Sequence, residues 1–499
     1  MSREPNHRRS SATPVLVILI ILMIAATALV VWMCIDLVNK TPSVSTPEST
    51  VQLPNSGTTP SQVPAETQAP TTAPAPEPET VVATASIATM GDLLMHKPII
   101  DTCATGDGYN FDSIFKYLKD YTSAYDFAAA NLETTLGGPD YPIQGNPHFN
   151  CPDPIVDSVI NAGYDMLLTA NNHCGDTTAS GILRTLEQVR GKGLKTLGTM
   201  LNDEEKKYEV VDVNGIKIGM LCYTYATGVT SDGRPQLNGN AALSQAGIVN
   251  YFMETNLDKF YSEVEQHLAD MKADGAEATM VLLHWGVEYQ LQENNTQRAM
   301  AQKLCDMGVD VIVGGHPHVV EPVDLLQSSV DPDHKTVIIY SLGNAVSNQR
   351  LGNISYVSTA HTEDGALFSV TFEKYSDGKV YLAGADVLPV WVNMHSNNGS
   401  REYNILPLDI SKEDQWTEMF NLTAGNFSSA QASYKRTMDI VGDGLKECQD
   451  YLAQAKTDRE AYYLDLATNP EKYESAEPTL SVVETTQAPA EETTLPAAA

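Results

Sequence analysis

Short apolar runs alternate with amphipathic stretches through the middle of the chain. Runs rich in β-branched and small residues predict buried strands at residues 84–90, 126–132, 165–170, 208–213, 217–223, 279–284, 309–313 and 336–341. Apolar residues at helical spacing predict helices between them, at residues 111–119, 154–162, 178–192, 255–272 and 296–307. This alternation predicts an α/β fold with much parallel sheet.

The pattern changes toward the end of the chain. Residues 365–372 and 380–388 alternate apolar and polar positions without an intervening helix, which predicts an antiparallel hairpin. Residues 413–469 are polar with helical spacing, so we expect a helical extension that caps the main domain.

The amino-terminal region contains one long apolar run. Residues 14–35 are almost entirely apolar, and about 22 residues at ~1.5 Å each span a ~30 Å hydrocarbon core, which predicts a transmembrane helix. A cleaved signal peptide is the alternative, but the run is longer than the apolar h-region of a typical signal peptide and no cleavage site of small residues ends it. Arginines precede the run, and Lys97 is the first cation after Lys40, so the amino terminus should be cytoplasmic and the rest external.

Two low-complexity segments flank the predicted α/β region. They are rich in Thr, Pro, Ser and Ala and contain too few large apolar side chains to fold. We therefore expect a cytoplasmic segment (1–12), a transmembrane helix (13–36), a disordered linker (37–82), the main α/β domain (83–395), a helical extension (396–474) and a disordered tail (475–499).

Composition narrows the range of partners. The 499 residues include 31 Lys and Arg against 63 Asp and Glu, a formal charge of −32. Such a surface repels nucleic acid and anionic lipid. A substrate that carries phosphate or carboxylate would need a local cationic centre, for which a bound divalent metal is a candidate.

Six of the seven cysteines lie in the predicted external part, which permits disulfides. Cys103 and Cys151 both fall in loop-like sequence and are the candidate pair. Cys222 and Cys305 lie in strand and helix patterns, which predicts buried free thiols.

Polar side chains recur where the predicted strands end. Taken singly, each has an ordinary structural explanation, such as a helix cap or a hydrogen-bonded core histidine. Their recurrence at several strand ends favours function, because functional groups of open α/β sheets collect beyond the carboxyl ends of strands. His316 and His318 would face one volume if the chain is extended there. The residues are Asp92, His96, Asn131, Glu133, Asn171, Asn172, His173, His284, Glu288, His316, His318 and Asn344.

The same residues occur in motifs that resemble a known family. In this combination and order, over roughly residues 84–390, the chain resembles the bacterial CapA family of poly-γ-glutamate capsule synthesis proteins, in the calcineurin-like metallophosphoesterase superfamily. The motifs are Gly91-Asp92, Asn131-Leu132-Glu133, Ala170-Asn171-Asn172-His173, His284-Trp285-Gly286-Val287-Glu288, Gly314-Gly315-His316-Pro317-His318 and Ser341-Leu342-Gly343-Asn344.

The resemblance implies a four-layer α/β/β/α sandwich with a two-metal centre at the strand ends. Mixed imidazole, carboxylate and amide ligands without thiolate suit Mn, Fe or Zn. By this resemblance Asp92, Glu133 and His318, with His96, would hold one ion. Glu133 would bridge to a second ion held by Asn172, His284 and His316. His173 would act as general acid or charge stabiliser, and the expected substrate contacts are Asn131, Asn171, Glu288 and Asn344.

Two departures from the wider superfamily concern the first ion and the substrate. The usual Asp-x-His is absent, because His96 comes four residues after Asp92, and Asn131-Leu132-Glu133 replaces Gly-Asp-x-x-Asp. Residues 147–152 stand where many relatives look like Phe-Arg-x-Pro, and loss of that arginine removes a fork suited to carboxylate or phosphate.

These features lead to two functional hypotheses. The first is a single-pass, externally facing membrane enzyme of capsule or cell-envelope polymer metabolism, which performs metal-assisted hydrolysis or transfer at a phosphate ester or an activated polymer end. The second is a non-catalytic scaffold that binds an anionic polymer such as polyglutamate beside a membrane polymer synthase. Metal uptake and phosphoester hydrolysis by the external part distinguish them.

Overall fold

The computed structural model describes residues 77–240, 247–355, 357–397 and 399–473. The predicted cytoplasmic segment, the transmembrane helix, the linker up to residue 76 and the tail at 475–499 lie outside the described residues. Within those described ranges, no helix combines the length and apolarity that a membrane crossing requires.

The described chain alternates strands and helices, as the sequence predicts. The strands are β1 (Val81–Leu93), β2 (Phe127–Asn131), β3 (Met166–Leu168), β4 (Lys195–Leu197), β5 (Tyr208–Val213), β6 (Ile216–Tyr225), β7 (Gly228–Val229), β8 (Pro235–Gln236), β9 (Tyr251–Phe252), β10 (Ala278–His284), β11 (Val311–Gly315), β12 (Val323–Gln327), β13 (Lys335–Ile339), β14 (Asn344–Val346), β15 (Asp364–Tyr375), β16 (Val380–Asn397) and β17 (Ser400–Pro407). The α-helices are α1 (Lys97–Thr102), α2 (Asp112–Phe115), α3 (Lys119–Thr122), α4 (Ile155–Asn161), α5 (Thr178–Gly191), α6 (Leu257–Ala273), α7 (Asn295–Asp306), α8 (Trp416–Met419) and α9 (Ala424–Thr468).

The strands form two mixed sheets and one small hairpin, β7–β8. The first sheet has the order β17-β16-β15-β1-β2-β3-β4, with β14 also paired to β1. Strands β1 to β4 are parallel, and β15 to β17 are antiparallel. The second sheet has the order β12-β13-β11-β10-β6-β5, with β9 on β6. Its central strands are parallel and read as continuous apolar runs because both faces are buried.

The largest core lies between the two sheets. Ile87 and Phe368 of the first sheet share it with Met220 and Leu282 of the second. Helices α1, α2 and α4 pack on the outer face of the first sheet, and α6 and α7 pack on that of the second. The predicted α/β fold is confirmed.

The predicted hairpin is confirmed, and a long helix, α9, lies within residues 413–469, where helical spacing was predicted; both join the main core. Residues 365–372 and 380–388 lie in β15 and β16, which pair antiparallel. Strand β16 runs across the domain boundary expected at residue 395. Val441 and Leu445 of α9 lie in the core between the sheets, so the extension packs as part of this core.

Two local predictions for this part of the chain were wrong. The single helix expected at 111–119 is two short helices, α2 and α3. The candidate disulfide between Cys103 and Cys151 is not formed, and both are buried free thiols. Burial raises the pKa of Cys103 to about 11 and that of Cys151 well above its ordinary value, so both side chains behave as apolar core. Cys222 and Cys305 are buried free thiols, as predicted.

Candidate metal centre

The predicted polar residues lie at the carboxyl ends of strands in both sheets. Asp92 lies at the end of β1, and Glu133 follows β2. His284 is the last residue of β10 and pairs in register with Gly315, the last residue of β11, which leads directly into His316. Parallel strands end at one edge of a sheet, so this register brings distant parts of the chain together.

Two overlapping groups of ligand atoms form the centre. Asp92, Glu133 and His284 each offer one atom within 4.8 Å of the others, and so do Glu133, His316 and His318. Glu133 belongs to both groups, as a bridging carboxylate would. His318 Nδ1 lies 3.9 Å from Glu133 Oε2, and His284 Nε2 lies 3.3 Å from Glu133 Oε1, so the division of the histidines between two ions stays a prediction. His318 Nδ1 also lies 3.1 Å from Asp92 Oδ2, so the groups form one cluster.

The donor set fits a divalent cation. The carboxylate and imidazole residues of both groups are buried. Both oxygens of Glu133 and Nδ1 of His316 have no hydrogen-bond partner among the described residues. Asn172 adds an amide oxygen, since its Oδ1 lies 2.8 Å from His284 Nε2. Buried charges persist only when they are paired or bind a metal, so these residues could hold a metal ion.

Burial and mutual charge set the protonation of the centre. Burial would raise the pKa of Asp92, but the hydrogen bond and charge of His318 hold it below its ordinary value. Burial lowers the pKa of His316 well below its usual range, and neighbouring imidazoles lower it further. Burial also acts to lower the pKa of His318, but Glu133 and Asp92 outweigh it and raise that pKa to about 9. His316 is therefore neutral and has a lone pair for a metal.

The turn after β11 differs from the expected extended chain. His316 and His318 have φ angles of 97° and 57°, in the left-handed backbone region that residues other than glycine rarely adopt. The prediction of an extended His-Pro-His segment was therefore wrong. The two rings approach to 5.9 Å because left-handed residues flank Pro317 on both sides. Such strained backbone concentrates at functional sites.

The three asparagines expected to contact substrate lie buried around the ligands. Asn131 Nδ2 donates to Asp92 Oδ1 at 2.7 Å, and Asn171 Nδ2 donates to Asn131 Oδ1 at 3.2 Å. Asn344 Nδ2 donates to His318 O at 3.1 Å, and its Oδ1 lies 3.2 Å from His318 Nδ1. Because all three are buried, their hydrogen bonds orient the ligand side chains.

His173 has its own set of partners next to Asn172. Its Nδ1 lies 2.7 Å from Asp176 Oδ2, so the Nδ1–H donates to this carboxylate and Nε2 keeps its lone pair. Asn238 Nδ2 donates to Asp176 Oδ1 at 3.1 Å and lies 2.9 Å from His173 Nδ1. The ring of Phe149 packs edge-on against His173 at 4.6 Å. These contacts hold the imidazole in one orientation.

His96 lies beside the centre and belongs to neither ligand group. The chain turns into α1 directly after it, and its ring packs edge-on against Phe149 at 5.1 Å. Its Nδ1 lies 3.2 Å from Leu94 O and 3.3 Å from Asn348 N. Burial lowers the pKa of His96 to about 4. Its Nε2 is buried and has no hydrogen-bond partner among the described residues, so the assignment of His96 to the first ion stays a prediction.

The sequence patterns did not identify three residues of this region, Tyr225, Asp176 and Asn238. Tyr225 ends β6, and its ring lies 4.7 Å from that of His316, so the strand-end rule could have found it. Asp176 has a local signal, because it follows His173 by three residues. Asn238 has none, since it comes from the segment after β8. Glu288 is exposed, and its charge contributes to the raised pKa of His318.

The fold and site together define a mixed α/β protein with a carboxylate and imidazole centre, suited to a metal ion, at its strand ends. Comparison with known families agrees with the motif analysis. The sequence model of the family described as "Bacterial capsule synthesis protein PGA_cap" matches residues 86–349, and the chain belongs to this family. The resemblance to the CapA family is confirmed.

Two curated relatives carry CapA names. The chain is 30% identical over 281 residues to the PGA biosynthesis protein CapA of Bacillus subtilis (strain 168), a match that covers 55% of this chain and 65% of that protein. It is 26% identical over 341 residues to the capsule biosynthesis protein CapA of Bacillus anthracis, which covers 66% of this chain and 74% of that protein. The first match thus spans slightly less than two thirds of the relative's length.

Proposed function

We propose that this protein acts in the synthesis of a capsule or other envelope polymer, and that its centre binds two divalent ions and catalyses hydrolysis or transfer at a phosphate ester or activated polymer end. The observation that carries the proposal is the pair of buried ligand groups that share Glu133. The names of the two relatives, PGA biosynthesis protein and capsule biosynthesis protein, support the polymer role.

Ions of Mn, Fe or Zn at this centre would activate a water molecule and neutralise charge on a phosphoryl or carboxyl oxygen. Glu133 belongs to both ligand groups and would help to hold both ions, and the hydrogen bonds of Asn131 and Asn344 would orient Asp92 and His318. The remaining ligands would be His284, His316 and Asn172.

His173 is the proposed general acid. Its Nδ1–H is committed to Asp176 at 2.7 Å, which leaves Nε2 to exchange a proton with the leaving oxygen. Asp176 accepts a second hydrogen bond from Phe149 N at 2.6 Å and a third from Asn238 Nδ2. These bonds keep the carboxylate still while the imidazole changes its protonation state.

The proposal extends to location and architecture. The apolar run at residues 14–35 would anchor the domain outside the membrane, beside a membrane polymer synthase, where an anionic envelope polymer or a phosphoester is the substrate. Two packed sheets with helices on their outer faces support the four-layer α/β/β/α arrangement. The excess of acidic residues argues against a nucleic-acid partner.

The test is elemental analysis of the purified full-length protein, followed by a phosphoester panel with and without chelator. We expect Mn, Fe or Zn to co-purify and hydrolysis to stop when a chelator removes the metal. His316→Ala should lower metal content and activity together, because it removes one of the buried ligands. His267→Ala, in α6 against Tyr208 and outside both ligand groups, is the matched control and should change neither.

Two results would contradict the proposal that the protein is a metal-dependent enzyme. Protein that folds but takes up no metal and hydrolyses nothing would favour the polymer-binding scaffold. Activity that survives His316→Ala unchanged would place the chemistry elsewhere, even if metal is bound.

A further inference from the structure

Tyr225 lies at the same strand ends as the residues that could hold metal. Strand β6 pairs with β10, and Thr224 is in register with His284, the last residue of β10. Tyr225 is the next residue and the last of β6, so it lies one position beyond His284 at this edge of the second sheet. The end of β6 thus places a phenol beside the ligand imidazoles.

The ring of Tyr225 packs against two of these imidazoles. It lies 4.7 Å from the ring of His316 and 6.5 Å from that of His284, to which it is nearly parallel at 13°. The two histidines are only 3% exposed, whereas Tyr225 is half-buried. Tyr225 therefore contacts the centre with one part of its side chain and reaches solvent with another, so a molecule that enters the centre could touch it.

The hydroxyl of Tyr225 is available to such a molecule. It forms no hydrogen bond to another described residue. Burial raises the pKa of Tyr225, and the charges of Glu288 and Glu133 raise it further, so the hydroxyl lies within the electrostatic range of both acids. A phenol is protonated at neutral pH in any case, and this one offers an O–H donor without a charge.

The surroundings of this hydroxyl consist mainly of groups that accept hydrogen bonds. The carboxylates of Asp92 and Glu133 donate none when ionised, and the amide of Asn131 already donates to Asp92. A phosphoryl group in transfer carries charge on its three equatorial oxygens, and a fixed donor aimed at such an oxygen stabilises the transition state. Tyr225 supplies a donor of the kind that the ligand carboxylates lack.

We propose that Tyr225 is a catalytic residue whose hydroxyl donates a hydrogen bond to a non-bridging oxygen of the phosphoryl group at the metal centre. Packing of its ring against His316 would hold the hydroxyl in place. The hydrogen bond would be strongest in the transition state, so it would raise kcat more than it tightens binding of the ester. This inference rests on the proposed function, because it names a side chain that the phosphoester would contact.

The test compares Tyr225→Phe with the wild type, because phenylalanine keeps the ring against His316 and removes only the hydroxyl. Full-length protein in detergent, with its co-purified metal, would be examined by elemental analysis, by calorimetric titration with inorganic phosphate and by hydrolysis of p-nitrophenyl phosphate. We expect unchanged metal content, phosphate binding weakened about tenfold and kcat lowered about 10²-fold, with a smaller change in KM.

Tyr261→Phe is the matched control. Tyr261 is also half-buried, its ring packs against Phe260 in α6, and its hydroxyl forms no hydrogen bond to another residue in the described part of the chain. This variant should bind phosphate and hydrolyse the ester like the wild type. Unchanged thermal unfolding would confirm that both variants fold.

The outcomes separate this contact from the proposed function. A Tyr225→Phe variant that binds phosphate and hydrolyses the ester like the wild type would overturn the contact, while the metal-dependent enzyme would stand. Loss of metal from the variant would also overturn it, because Tyr225 would then support the ligands and not the phosphoryl group. Wild-type protein that binds metal and phosphate without hydrolysis would reject the enzyme, and weaker phosphate binding by Tyr225→Phe would then still support the contact. Wild-type protein that binds neither metal nor phosphate would overturn both.

Discussion

Glu321 is a fully buried acid whose ionisation should make the fold weaken as pH rises. Its Oε2 accepts a hydrogen bond from Gln297 Nε2 at 2.7 Å, and Oε1 has no hydrogen-bond partner among the described residues. Burial raises the pKa of Glu321 from 4.5 to about 8, with the Gln297 hydrogen bond opposing the rise and the charge of Glu293 adding to it. Gln297 also completes the capping box of α7 with Asn294, so the acid ties that helix to the segment after His318.

The direction and size of the change in folding stability with pH follow from the folded and unfolded pKa values of Glu321. The folded pKa lies above the unfolded one, so between pH 4.5 and about 8 the folded protein holds the proton more tightly. The contribution of Glu321 to stability is therefore complete below the lower value and is lost as pH rises toward the higher one. At about 1.36 kcal/mol per pH unit, the full loss is roughly 5 kcal/mol. That is a large part of the stability of an ordinary domain, about 5–15 kcal/mol.

Glu321→Gln tests this directly, because the amide keeps the shape and the acceptor for Gln297 but cannot ionise. Urea denaturation from about pH 5 to about pH 9 would give the free energy of unfolding of both proteins. We expect the variant to gain several kcal/mol over the wild type across this range, while other ionisable groups cancel in the difference. Glu265→Gln, an exposed acid of α6, is the control and should run parallel to the wild type. If the free energy of unfolding of Glu321→Gln changed with pH in parallel with that of the wild type, the proposed role of Glu321 would be refuted.

Three further predictions concern the centre and its supports. Asp176→Asn should lower kcat by about 10²–10⁴-fold at unchanged metal content, because His173 loses the carboxylate that holds its Nδ1 proton. A variant with wild-type kcat would show that His173 does not need the Asp176 carboxylate. Asn344→Ala should destabilise the fold by about 1–3 kcal/mol in denaturation experiments, because the buried acceptors His318 O and Thr362 O lose their hydrogen bonds. It should also weaken metal binding about 10–100-fold in metal titrations, because the His318 side chain is then less firmly oriented; unchanged metal affinity would contradict this. Gly314→Ala should destabilise the fold by about 3 kcal/mol or more, because the new Cβ would lie 1.8 Å from Tyr340 O. Gly106→Ala is the control and should leave the melting temperature unchanged, because a Cβ there would have no atom within 4 Å. Similar melting temperatures for the two variants would disprove the close contact.

Much of the fold and most of the centre could be predicted from local pattern. The apolar runs of β10 and β11 identify buried parallel strands, because a strand covered on both faces has no polar positions to alternate. Polar residues that directly follow such runs must lie at the strand ends, which is where the structure places Asp92, Glu133 and His284.

The same local reasoning failed where a residue's environment comes from elsewhere in the chain. Extended backbone is the usual preference of a residue before proline, yet His316 is left-handed because the surrounding structure holds the turn. Asn238 reaches His173 from a distant segment without any signal in its neighbours.

The sequence by itself determined which segments become strands and helices and which residues stand at strand ends, because burial and backbone preference act between neighbours in the chain. Only the tertiary structure decided how the imidazoles group around Glu133 and that α9 completes the core between the sheets. Those outcomes depend on sheet register and on the path of loops, which arise from contacts between residues far apart in the chain.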